Sequence, residues 1–177
     1  MPPKTALLII DVQVGMFTSD KPIYDGEMLL ERLAALIHKA SLAHIPVIFV
    51  QNCGSAGDVL QPGAPGFPIH HRIAPKPDDL VVYKRHPDAF QDTTLQSELE
   101  KQGIRRLVVA GLNTAYCIDT TCRRANSLGY EVILVKDGHS THDSDLLPAW
   151  QIIQHHNQVL STFFVRLQAA ADVEFKK

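Results

Sequence analysis

Short, almost continuous apolar runs alternate along the chain with stretches whose apolar residues recur every three or four positions. Thr5 to Ile10 (TALLII), Val47 to Val50, Leu80 to Tyr83 (LVVY), Leu107 to Ala110 and Glu131 to Val135 have the pattern of strands covered on both faces. Between Glu27 and Ala43, the residues Leu29, Leu33, Leu36, Ile37 and Ala40 fall at helical intervals. Leu95 and Leu99 do the same within Asp92 to Gln102, as do Ile118, Cys122 and Ala125 ahead of Gly129. A helix from about Leu146 to Asn157 and a short strand around Phe163 to Val165 complete the pattern. Buried-type strands joined through helices require parallel pairing and right-handed crossovers. The expected fold is therefore α/β: a single domain over residues 1–177 with a doubly wound, mostly parallel sheet, Rossmann-like, in a three-layer α/β/α arrangement. From Gln51 to Asp79 periodicity gives way to dense Gly and Pro, but Leu60, Phe67 and Ile69 predict an ordered covering rather than a free linker.

The strand ends carry the candidate chemistry. Asp11 terminates the first strand, Lys84 the third, and Cys117 falls in the first helical turn after the fourth. Ligands of open parallel sheets bind beyond the carboxyl ends of the strands, so these three side chains are placed to share one crevice. A thiol in a first helical turn meets the positive end of the dipole and unbonded N–H groups, which favour the thiolate. The alternatives from these stretches alone are a buried structural cysteine and, for Asp11, a solvated turn or cap residue. Gln13, Phe17, Tyr24, Phe90 and Tyr116 flank the strand ends and are expected to line the substrate pocket, unless the aromatics are ordinary core. Their character suits a small, neutral or weakly polar ligand rather than a dianionic acid. Adjacent His70 and His71 point in different directions on most backbones, and His139 with His142 in the DGHSTHD turn offers two ligands without a third. No metal and no cofactor is expected.

Composition narrows the partners. The chain has 17 Lys plus Arg against 19 Asp plus Glu, a formal net charge of −2, and no long basic cluster, which argues against nucleic acid. The hydrophobic share of 45% suffices for one proper core. Cys53, Cys117 and Cys122 are odd in number and form no C-x-x-C pair, which predicts a reducing, cytoplasmic setting. The opening MPPKTALLIIDVQ fits neither a secretory signal nor a membrane span, so no membrane partner is expected. Internal repeats, G-x-G-x-x-G and the P-loop pattern are absent from the sequence.

Three motifs in order, DVQ after the first strand, YKRHPDAF at the end of the third and AGLNTAYCIDTTCRRANSLGYEV around the fourth, resemble the isochorismatase-like cysteine hydrolases from Thr5 to about His142. The resemblance implies an Asp–Lys–Cys triad of Asp11, Lys84 and Cys117, a cis peptide at Leu112–Asn113, and an oxyanion hole from the backbone N–H groups of Asn113 and Cys117. A small-molecule substrate and a homo-oligomer are expected, with the ordered loop around Leu60 to Ile69 contributing to the crevice, over its own site or, in an oligomer, over a neighbour's. The nicotinamidase branch carries a metal-binding D-x-H cluster where this chain has Gln51, Asn52 and Cys53. True isochorismatases use no cysteine nucleophile, whereas Cys117 is present here. The expectation is a metal-independent cysteine hydrolase of a carbamoyl, ureido, maleamate or lactam-type amide, acting through a thioester. The alternatives are an isochorismatase-type or nicotinamidase-type hydrolase, or a non-catalytic binding protein that keeps the fold.

Overall fold

In the computed structural model, which describes residues 3–18 and 20–175, the first apolar run forms β1 (Thr5–Ile10), buried along its whole length. It is followed by a single turn, α1 (Val14–Phe17), the long helix α2 (Gly26–Leu42), β2 (Val47–Asn52) and β3 (Leu80–Lys84). The remainder comprises α3 (Leu95–Lys101), β4 (Arg106–Leu112), α4 (Asp119–Ser127), β5 (Glu131–Ser140), α5 (Ala149–Phe163) and β6 (Arg166–Gln168). The six strands lie in the order β3-β2-β1-β4-β5-β6, and every pairing is parallel. The doubly wound, single-domain α/β fold expected from the apolar pattern is the one observed, with no antiparallel strand in the sheet among the described residues.

Strand alternation makes the two cores. Ala6, Leu8 and Ile10 of β1 pack with Leu95 and Leu99 of α3, Cys122 and Ala125 of α4 and Leu160 of α5. Leu7 and Ile9 point the opposite way, onto Leu29, Leu30, Leu33, Leu36 and Ala40 of α2. With period two, neighbouring residues of one buried strand serve opposite layers, which is why these runs show no polar interruption. Among the described residues, no helix is long and apolar enough to cross a membrane.

Four elements differ from their expected bounds. β5 does not stop at Val135. It pairs Val109 with Leu134, then Gly111 with His139 and Leu112 with Ser140, so the polar Lys136–Asp137–Gly138 segment is a bulge inside the strand rather than a turn after it. Pro148 caps α5, so the last helix starts later than its apolar spacing implied and runs through Phe163; the strand expected at 163–165 falls at Arg166–Gln168. α3 is likewise shorter than the Asp92–Gln102 stretch, beginning at Leu95.

The long loop is fastened to the chain that follows β1. Val14 N–H donates to Pro68 O and Gly15 N–H to Gly66 O, each at 2.8 Å, and His70 N–H donates to Val12 O at 2.9 Å. Gln13 is fully buried; its Nε2 donates to Asn52 O (3.0 Å) and Phe67 O (2.8 Å), and its Oε1 accepts from Asn52 N–H (2.9 Å). Gln51 Nε2 adds a second bond to Phe67 O at 2.8 Å. The two backbones meet at glycines: a Cβ on Gly66 would lie 2.6 Å from Val59 O and 2.8 Å from the Gly15 Cα. A Gly66→Ala substitution is therefore expected to push the loop off its path, lowering unfolding free energy by about 1–3 kcal/mol in denaturant titration and speeding proteolytic cleavage within residues 53–69. Unchanged stability and cleavage would contradict this account of the contact.

Candidate active site

The sheet reverses its winding between β1 and β4, and the carboxyl ends of the strands around that point bring Asp11, Lys84 and Cys117 together. Asp11 follows the last residue of β1 and turns out of the strand with φ of 55°, a left-handed conformation that Asp tolerates better than most residues. Its N–H donates to Val50 O at 2.9 Å. Lys84 ends β3, opposite Asn52 of β2, and reaches across β2 to Asp11 with its side chain fully buried. Lys84 Nζ lies 2.7 Å from Asp11 Oδ2 and donates to Cys117 Sγ at 3.2 Å. Cys117 comes from the other side of β1, on the connection leaving β4.

That connection is wider than the expected helical turn. Gly111 has φ of +125°, and a Cβ there would run into the Ile10 carbonyl of β1. The Leu112–Asn113 peptide is cis. Thr114–Ile118 form a π-type turn, with Asn113 O accepting from Tyr116 N–H (3.1 Å) and Ile118 N–H (3.2 Å), and α4 begins only at Asp119. Cys117 therefore sits in this turn, ahead of the helix proper.

Burial dominates the electrostatics. It raises the Asp11 carboxyl above its ordinary value of 3.8, against the opposing charge of Lys84 and a hydrogen bond from Cys117. For Lys84, burial acts to lower the ammonium pKa, but the charge of Asp11, that of Cys117 and the hydrogen bonds to both outweigh it and hold the group above 10.5. Lys84 thus keeps its proton. A buried ammonium with no counter-ion is the costlier state, so Asp11 is its carboxylate partner. Burial and then the Asp11 charge push the Cys117 thiol up to about 12, more than Lys84 lowers it. The sequence expectation of a resting thiolate is corrected accordingly: the helix terminus lies beyond the turn, and the closed site holds a neutral thiol beside an ion pair. Asp11 Oδ2 is taken by Lys84, and the buried Oδ1 has no other fixed partner, which leaves it to receive the thiol proton.

The remaining expected residues divide. Gln13 has its amide committed to Asn52 and Phe67 and no free group for a substrate, so it is a clamp on the loop rather than a pocket wall. Phe90 is a core residue, 7% exposed and stacked on Tyr130 with ring centroids 5.8 Å apart. Phe17 packs against His70 at 4.9 Å, while Tyr24 and Tyr116 are exposed at this end of the sheet. Tyr24 borders a cavity of about 200 Å³ with Arg32, His139 and Trp150, which the triad does not line. His70 and His71 stack on one another at 4.3 Å, and among the described residues no three His, Cys, Asp or Glu side chains are grouped to hold a metal. His139, expected in a polar turn, is buried in β5 and bonded to Thr114 and Asn157. Thr114, Asn157 and Gln51 carried no periodic or charge signal that sequence reading could use.

Against known proteins, the isochorismatase domain family matches residues 5–160. Two streptothricin hydrolases from Streptomyces noursei are each 34% identical over 81% and 83% of this chain, and the match spans 55% and 61% of their own length. The ureidoacrylate amidohydrolase RutB of Variovorax paradoxus is 27% identical over 78% of this chain and 69% of its own. Among solved structures, an isochorismatase from Pseudomonas putida KT2440 superposes with a TM-score of 0.91 at 28% identity, covering 98% of this chain and 93% of that one. With the family model matched over most of the sequence and a closely superposing structural relative, the chain belongs to the isochorismatase domain family.

Proposed function

We propose that the protein is a metal-independent cysteine hydrolase that cleaves a C–N amide bond of a small molecule through a Cys117 thioester. The observation that carries this reading is the sealed contact of Lys84 Nζ with Asp11 Oδ2 at 2.7 Å and Cys117 Sγ at 3.2 Å, at the winding reversal of a parallel sheet. A buried ion pair beside a thiol is an expensive arrangement that a purely structural or binding role would not require. The name of the RutB relative, an amidohydrolase, supports a C–N substrate. Gln51, Asn52 and Cys53 supply no D-x-H ligand set, which supports chemistry carried by the chain's own groups.

In this mechanism Cys117 Sγ attacks the amide carbon as its proton passes to Asp11, with Lys84 stabilising the charge that develops on sulfur. The tetrahedral oxyanion is held by the N–H groups of Asn113 and Cys117, each well-placed donor contributing about 3 kcal/mol. Asp11 returns the proton to the leaving nitrogen and the amine departs, leaving a thioester. Asp11 then takes a proton from water, the hydroxyl adds to the thioester carbonyl, and collapse expels Cys117, which regains its proton as the carboxylic acid leaves.

A substrate panel tests the reading. After dialysis against a chelator, the protein is expected to release ammonia or amine from members of a set of small primary amides, ureido acids and lactams, and Cys117→Ala to lose this turnover by about 10³-fold or more while remaining folded. Good turnover of isochorismate with none of any amide, or full activity in Cys117→Ala, would defeat it. The pH profile is a second test. Asp11 must be ionised to accept the proton, so kcat/KM is expected to fall as pH drops through its raised pKa, with a midpoint above 3.8. On the alkaline side Lys84 stays charged to beyond 10.5, so no falling limb is expected between neutrality and that value. An acid limb at or below the ordinary carboxylate range, or a loss of activity near pH 8, would contradict the assignment.

A further inference from the structure

The bulge in β5 returns the strand to β4 at its last two pairs, Gly111 with His139 and Leu112 with Ser140, immediately before the turn that carries Cys117. This places a histidine that is 3% exposed beneath that turn. His139 Nδ1 lies 2.9 Å from Thr114 Oγ1, and Nε2 lies 3.0 Å from Asn157 Oδ1. The proton positions follow from the partners. Asn157 donates its Nδ2 to the Lys136 carbonyl at 3.0 Å, so the atom it offers His139 is an acceptor, and Nε2 must carry the ring proton. Nδ1 is then a bare lone pair, and the fully buried Thr114 hydroxyl donates to it. Burial lowers the imidazole to about 4, so this single tautomer persists through the neutral range.

Thr114 is therefore held from two directions. Its carbonyl accepts from Asp119 N–H, closing the π-type turn, and its side chain is fastened to β5 through His139. The four remaining residues of that turn include Cys117, and the backbone between Asn113 and Cys117 contributes both donors of the oxyanion hole in the mechanism above. Wide turns of this kind have weak internal bonding, so an external anchor determines where they sit.

We propose that His139 is a positioning residue for the nucleophile turn, holding Thr114, and through it Cys117, in register with the Asp11–Lys84 pair. This rests on the reading of Cys117 as the nucleophile. His139 touches no reacting atom; Asn157 fixes its tautomer, and Thr114 transmits its position.

Thr114→Val keeps the side-chain shape and removes the hydroxyl donor, whereas Thr114→Ser keeps the donor. In Thr114→Val the turn should slip, lowering kcat on the panel amide about tenfold or more with KM little changed. The same slip should release the thiol from its enclosure, so that iodoacetamide modifies Cys117 about tenfold faster near neutral pH, read by peptide mass. Cys122, fully buried in the core, reports general loosening and should stay unreactive. Thr114→Ser should restore both quantities towards the wild-type values. The proposal is overturned if Cys117 alkylation is unchanged in Thr114→Val, if Cys117 and Cys122 become reactive together, or if Thr114→Ser restores neither quantity. Should the wild-type protein hydrolyse no amide, the alkylation measurements still decide the positioning role, so failure of the functional reading and failure of this one are separable.

Discussion

One buried ion pair sets the terms for the rest of the molecule. Lys84 and Asp11 lie almost wholly out of water, and each is tolerable there only because the other is 2.7 Å away. That contact requires two strands that are not neighbours, β1 and β3, to end at the same height with β2 between them. It requires Asp11 to leave its strand in a left-handed conformation, and Lys84 to run its aliphatic stem through an apolar layer. Removing either partner leaves an uncompensated charge, typically about 3–5 kcal/mol, so the pair constrains the fold as well as the chemistry.

The same enclosure explains the state of the thiol. Proximity to an ammonium ordinarily lowers a cysteine pKa, but here burial and then the charge of Asp11 act more strongly in the other direction, and the sum favours the neutral thiol. The site is therefore poised rather than pre-ionised. Its nucleophile is uncharged until a substrate carbonyl is present to accept the electron pair, and Asp11 is present to accept the proton. A neutral thiol is also less prone to adventitious alkylation and oxidation than a standing thiolate.

The sheet is legible in the sequence because β1, β2 and β4 are buried on both faces and announce themselves as apolar runs, as does the partly buried β3, and the triad is legible because Asp11 follows such a run, Lys84 ends one and Cys117 lies in the turn after another. What stayed hidden depends on contacts that have no period. Lys136–Asp137–Gly138 has the composition of a turn, yet it is a bulge, because the strand beyond it is stabilised by pairing with Gly111 and Leu112 rather than by apolar content. Gln13 resembled a pocket residue for its place beside Asp11, and only the three-dimensional path of the loop reveals that its amide is used by Asn52 and Phe67. The thiol's protonation was misjudged for a related reason: the helix terminus was readable, whereas the degree of enclosure and the width of the Thr114–Ile118 turn were not.

The central claim is that Cys117 rests as a neutral thiol held between a carboxylate and an ammonium. The most direct measurement is the ultraviolet thiolate absorbance of the wild-type protein minus that of Cys117→Ser, titrated from about pH 6 to about pH 10, with Cys53 and Cys122 common to both. The account predicts a flat difference across that range, because the Cys117 thiol ionises only near 12. A thiolate appearing with a midpoint at or below the ordinary cysteine value of about 8.5 would contradict it.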